Sequence, residues 1–186
     1  MTSITNTHPT YVAGTWALDP MHSEVTFSVK HLAISKVRGT FERFTATIVT
    51  AEDPTKSTVE ASIEVASVNT NQKDRDNHLR TNDFFKADEF PNMTFVSTSV
   101  ALNGDDISVV GDLTLRGVTK SVTLNGEFGG IVTDGGGQTK SGFTASTKIN
   151  RHDYGVSWNA ALEAGGFTLG DDVTINFELQ FTLQVA

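Results

Sequence analysis

A chain of 186 residues fits a single β-barrel domain, because about 150–200 residues can close around one core. Its net charge of −8 disfavours nucleic-acid phosphates and anionic membrane surfaces as partners, and the absence of Cys excludes a disulfide framework or a thiolate metal site. Twelve Phe against two Tyr and two Trp supply aromatic bulk with few polar handles, which suits an apolar lumen and a packed core equally.

Residues 1–14 are polar and irregular and have neither a basic n-region nor an apolar h-region, so they read as a disordered N-terminal segment ahead of one domain over 15–186. With no apolar run of about 18 residues anywhere, the chain reads as cytoplasmic and without integral membrane association. A short strand is expected at Trp16–Asp19. Next, Val25, Phe27 and Val29 alternate with Glu24, Thr26, Ser28 and Lys30, and Val59, Ala61, Ile63 and Val65 alternate with Glu60, Ser62 and Glu64. Gly39–Ala51, Met93–Leu102, Ile107–Arg116, Thr119–Leu124 and Ser141–Ile149 are further strand candidates. The separators are turn formers: Glu52-Asp53-Pro54, Asn103 to Asp106, Asn125-Gly126, Asp134 to Gly137, and Gly170-Asp171-Asp172.

The segment from Asn71 to Phe85 breaks this rhythm. It is charged, poor in β-branched residues and followed by Pro91, and it reads as a loop with a short helix; Asn69 to Asn71 can accept from the helix-start N–H groups, and Asp74 and Asp76 suit the dipole. At the C-terminus, Val173, Ile175, Phe177, Leu179, Phe181, Leu183 and Val185 alternate with polar residues. That run extends roughly 40 Å at about 3.3 Å per residue, well beyond an ordinary strand. A long antiparallel sheet with one dry face per strand and little helix to cover it must form a sandwich or close into a barrel, and strand length favours a barrel of about eight strands. Periodicity alone leaves open whether such a barrel is hollow or filled.

Residues capable of chemistry do not assemble into a recognisable site. His22, His31 and His78 lack the spacing of a metal site, and no metal or cofactor is assigned. Asp19, His22 and Ser23 are local neighbours without a Gly-x-Ser-x-Gly elbow, so no catalytic residue is assigned. No phosphate-cradling loop follows a strand. Arg75, His78 and Arg80 beside Leu79, Phe84 and Phe85 suit the rim of an apolar lumen, where cations meet a ligand head group; a solvated helix face whose Phe residues plug the barrel is the alternative. Arg38 and Arg151 lie beside glycine-containing turns, where backbone carbonyls are alternative partners.

The ordered motifs resemble the YceI-like, polyisoprenoid-binding family. They begin with Trp16-x-x-Asp19-x-x-His22-Ser23-x-x-x-Phe27-x-x-x-His31, then Val37-Arg38-Gly39-x-Phe41. Asn69-Thr70, Arg75-Asp76-x-His78-Leu79, Asp83-Phe84-Phe85 and Phe90-Pro91-x-x-x-Phe95 follow, then Gly111 to Lys120, Asn150-Arg151-x-Asp153-Tyr154-Gly155 and the long last strand. The resemblance implies an all-β, extended lipocalin-like antiparallel β-barrel with a short helix or loop insertion near 71–90. It further implies non-catalytic binding, storage or transport of a long-chain isoprenoid, quinone-like molecule or other lipid, and it is compatible with a homodimer. The expected lumen residues are Phe27, Val29, His31, Phe41, Ile63 and Val65, with Phe95, Leu113, Phe143, Phe177, Leu179 and Phe181. Arg75, His78, Leu79, Phe84 and Phe85 are expected at the rim. An enzyme acting on a lumen-bound substrate and a filled barrel serving as an interaction domain are the alternative readings.

Overall fold

The computed structural model describes residues 8–185. Within them eleven strands form one antiparallel sheet: β1 (Gly14–Leu18), β2 (Glu24–His31), β3 (Ser35–Phe41), β4 (Phe44–Thr50), β5 (Thr58–Glu64), β6 (Val68–Asn69), β7 (Asn92–Asn103), β8 (Asp106–Leu115), β9 (Val118–Thr133), β10 (Thr139–Asn150) and β11 (Leu169–Leu183). One short helix, α1 (Lys73–Leu79), lies between β6 and β7. The expected all-β, lipocalin-like barrel is the fold found.

Eleven strands make eight staves because three staves are kinked in the middle. β1 and β2 both pair with β11, at Trp16↔Leu183 and Val25↔Phe177. β1 pairs with β4 while β2 pairs with β3, and β4 pairs with β5 while β3 pairs with β6. From there β5, β7, β8, β9, β10 and β11 follow in order and close the ring.

The kinks have local causes. Between β1 and β2, Pro20 starts a single 3-10 turn capped by Asp19, whose Oδ1 accepts from Met21 N–H at 3.1 Å. The Ser23 hydroxyl donates to Asp19 O at 2.7 Å and accepts from Gln180 N–H at 3.0 Å, so the bend is fastened to β11. Between β5 and β6 another 3-10 turn, Val65–Ser67, carries the Ser67 hydroxyl, which donates to Glu64 O and accepts from Arg43 N–H at the β3–β4 kink. Breaking three adjacent staves at one level lets a long sheet curve without losing its ladder on either side.

Several boundaries differ from those expected. β9 is sixteen residues long and runs straight through Asn125-Gly126, which reads as a turn in sequence. Gly126 is needed there for space: a side chain would overlap the Thr144 carbonyl of β10. Gly170 to Asp172 lie inside β11 at a bulge between Leu169 and Val173. The β2–β3 hairpin turns on Leu32 and Ala33, both left-handed, and the helix cap is Gln72, whose Oε1 accepts from Arg75 N–H at 2.6 Å.

Of the segment expected to be disordered, residues 1–7 lie outside the described residues. Residues 8–14 make defined contacts across one end of the barrel. The Tyr11 hydroxyl donates to Ala51 O at 2.7 Å and lies 3.0 Å from Ser57 Oγ, Thr10 Oγ1 accepts from Ile131 N–H, and the His8 ring stands edge-on to Phe128. The strap therefore ties the β4–β5 side of the mouth to β9.

Candidate functional site

The staves enclose two cavities stacked along the barrel axis. The upper one, at the strap end, has a volume of about 130 Å³, and its accessible wall is almost wholly hydrocarbon. Its wall carries no acid, no base and no histidine, the only titratable group being the Tyr11 phenol. The lower one, about 90 Å³, is closed at the end away from the strap by α1, the Phe84-Phe85 stretch and the connection from β10 to β11, and its accessible surface is entirely apolar. Each is several times the ~10–15 Å³ that a single water occupies, and water gains little from walls that offer it no partners.

The expected lumen residues divide between these chambers. Ile63, Phe95, Leu113, Phe143, Phe177 and Leu179 line the upper one. Phe27, Val29, Phe41, Leu79, Phe84 and Phe85 line the lower one. Gly39 belongs to this second group by omission: a Cβ there would come within 2.5 Å of the Phe27 ring, so the bare backbone makes room for it. Phe27 in turn packs on Phe41 at 5.4 Å between ring centres.

Five expected residues line neither cavity. His31 is too near the hairpin end, where it pairs with Leu169 and Ser35. Val65 is buried in the main core but sits in the 3-10 turn, where strand parity no longer holds. Phe181 is fully buried in a separate cluster with Trp16 and Ile48, edge-on to Phe143. The Arg75 guanidinium donates to Thr70 Oγ1 and Thr70 O, and the buried Asp76 carboxylate accepts from Thr70 N–H and Oγ1–H. His78 lies 2.7 Å from Asp83 Oδ2 and edge-on to Trp158 and Phe84. Arg80 donates to Ala66 O and Val68 O. Arg75 and Arg80 thus fasten α1 to the segment from Ala66 to Thr70, and the Phe-rich stretch after it forms the floor of the lumen.

Sequence reading passed over other lining residues. Met93 and Ile175 share parity with Phe95 and Phe177 and could have been found that way. Phe128 and Ile131 lie in a glycine-interrupted stretch between the expected turns, outside the expected strands, and Tyr11 and Val12 carry no periodic signal. Arg151, at the lower chamber, is only 4% exposed. Its Nε donates to Gly170 O and its Nη1 to Val156 O and Trp158 O, while Nη2 makes no hydrogen bond. Burial lowers its pKa from the ordinary arginine value, against the opposing pull of Asp171. Burial likewise pushes the Tyr154 phenol up to about 12, with Asp153 adding to the effect.

Asp19, His22 and Ser23 do not form a triad. Asp19 Oδ2 lies 3.0 Å from His22 Nδ1 and accepts from Lys140 Nζ at 3.2 Å, but Ser23 turns to backbone. Burial works against charge on Asp19, yet the bonds from His22, Lys140 and Met21 N–H outweigh it and hold the carboxyl below its usual range. Among the described residues no three His, Cys, Asp or Glu converge as a metal site would require. None of their helices is long and apolar enough to cross a membrane.

A closed antiparallel barrel around an apolar interior, whose upper chamber is lined by no charged residue, defines a lipocalin-like binding fold. The chain belongs to the YceI-like domain family, whose match covers residues 16–181. It is 40% identical over 167 residues to a UPF0312 protein of Staphylococcus epidermidis, covering 89% of this chain and 95% of that one. Among solved structures, the YceI protein of Campylobacter jejuni superposes with a TM-score of 0.72 at 33% identity, over 84% of this chain and 90% of its own. A polyisoprenoid binding domain from Saccharophagus degradans shares the fold at a TM-score of 0.70 and 17% identity, covering 93% and 100%.

Proposed function

We propose that the protein binds and carries a long-chain lipid, an isoprenoid, quinone-like molecule or fatty chain, without turning it over. The observation that carries this reading is the chemistry of the upper wall: thirty lining residues without an acid, a base or a histidine. Such a wall offers burial and no proton transfer. At about 25 cal/mol per Å² of apolar surface, burying a long hydrocarbon chain gains many kcal/mol to set against the cost of ordering it. The polyisoprenoid binding named for the Saccharophagus degradans domain agrees with a ligand of this class.

The test is native mass spectrometry of the purified protein, followed by organic extraction and by loading with palmitic acid and a long polyprenol. A saturable, stoichiometric lipid adduct is the expected result. A protein that carries none and accepts none belongs to the filled-barrel reading, and consumption of the loaded lipid would make it an enzyme.

A further inference from the structure

The β2–β3 hairpin presents a surface that the lumen does not use. Its tip is Leu32-Ala33-Ile34, turned by two consecutive left-handed residues, Leu32 at φ 52° and Ala33 at φ 59°. Asn and Gly are the residues that adopt this geometry cheaply, so an apolar side chain here carries a backbone cost that stability alone does not recover. Ile34 is 85% exposed and Leu32 37%. Phe167, 64% exposed, comes from the connection between β10 and β11 and is held alongside, because Leu32 N–H donates to Thr168 O at 2.8 Å. Single exposed apolar residues are ordinary; three large ones gathered from two segments at one tip are not.

The shoulders of the same hairpin are basic. Lys30 lies directly across from Lys36, and Arg38 sits two residues further along the same outer face, all exposed. Like charges placed opposite one another destabilise a strand pair. None of the three makes an ion pair with another described residue. Residues 30–38 hold three cations and no acid, in a chain whose net charge is −8. On the β11 side the bulge brings Asp171 and Asp172 alongside Lys30, but Asp171 is engaged by His152 at 2.8 Å, so the three cations outnumber the local carboxylates. Charges more than about 8 Å away are largely screened at physiological ionic strength, so a docking surface responds to its local sign and not to the net charge of the chain.

We propose that this tip docks the protein on an anionic lipid bilayer, with Leu32, Ile34 and Phe167 inserted among the acyl chains and Lys30, Lys36 and Arg38 against the head groups. The tip adjoins the lower chamber: Leu169 and Val29 line that chamber, and Leu169 pairs with His31 at the base of the turn. Passage of cargo between bilayer and chamber rests on the proposed lipid carriage; the docking itself does not.

The experiment is co-flotation of the full chain with vesicles of phosphatidylcholine alone and of phosphatidylcholine mixed with phosphatidylglycerol, at low and high salt. Binding is expected only with phosphatidylglycerol and is weakened by salt. The Ile34→Ser/Phe167→Ser variant and, separately, the Lys30→Glu/Lys36→Glu variant are each expected to lose about tenfold or more in vesicle affinity. Because these side chains are exposed, thermal unfolding and the lipid extracted from the lumen stay as in the parent. Absence of flotation, binding that survives both variants, or self-association through the tip in place of vesicle binding would each overturn the docking. Failure of the lumen reading shows separately, as a parent that carries and accepts no lipid while still floating.

Discussion

Met93 on β7 and Ile175 on β11 stand four staves apart on either side of an eight-stave ring, and each lines both the upper and the lower chamber. They form the waist of the lumen. Below them on β11 comes Val173 and above them Phe177, so a chain longer than the upper chamber must pass between a thioether and a branched aliphatic group. Methionine is the more yielding of the two, being unbranched with three rotatable bonds.

Met93→Ala is therefore expected to join the chambers and shift binding of a series of saturated fatty acids toward longer chains. Met93→Phe should retain the short members and lose the long ones. Displacement of a fluorescent fatty acid reads the profile; the same profile in both variants and the parent would show that the waist sets no limit.

The strap over the mouth is held in part by the Tyr11 hydroxyl, bonded to Ala51 O and close to Ser57 Oγ. Tyr11→Phe removes those bonds and leaves the ring that lines the upper chamber. Stability should fall by about 0.5–1.5 kcal/mol, while exchange of bound fluorescent lipid in stopped flow accelerates. Unchanged exchange would mean that lipid does not pass beneath the strap.

Asp19 supplies a pH dependence whose sign is fixed by its lowered pKa. An acid with a folded-state pKa below its unfolded value contributes stability that is fully present above the ordinary aspartate value near ~3.9, and that is lost as pH falls through the folded value. Asp19→Asn should unfold at lower temperature than the parent at neutral pH, and the gap should narrow below about pH 4. A gap that is constant down to acid would assign the loss to packing of the kink instead of charge.

Arg151 gathers the carbonyls of Val156, Trp158 and Gly170 with one fork, and so organises the connection that helps close the lower chamber. Arg151→Met should cost roughly 2–4 kcal/mol, since three buried carbonyls lose a charged donor. Arg151→Lys should rescue little, because an ammonium cannot reproduce the planar geometry. Hydrogen exchange over residues 156–170 is the discriminating measurement: protection there should collapse before that of β7 to β9.

Strand parity carried the fold and much of the lumen. Phe27, Val29, Phe177 and Leu179 could be placed inward because alternation with Thr, Ser, Glu and Gln admits one register only. What sequence concealed was set by long-range packing. Asn125-Gly126 has turn chemistry, yet the glycine serves a close approach to the Thr144 carbonyl on the neighbouring strand, and β9 continues through it. Arg75 and Arg80 carry charge that a linear reading sends to solvent or to a ligand, whereas carbonyls and a hydroxyl on the segment from Ala66 to Thr70 take it up. The strap had no period to read.

The pairing of Trp16 with Leu183 joins the first strand to the last. During synthesis the first stave must wait for the last, and no ring exists until β11 has left the ribosome. Until then the Phe-rich interior faces water, and the contacts that bury it span nearly the full sequence, which makes folding slow and aggregation the competing fate. A nascent barrel that closes around hydrocarbon already present would shorten that exposure, so the time of closure is also the earliest moment at which cargo can be trapped.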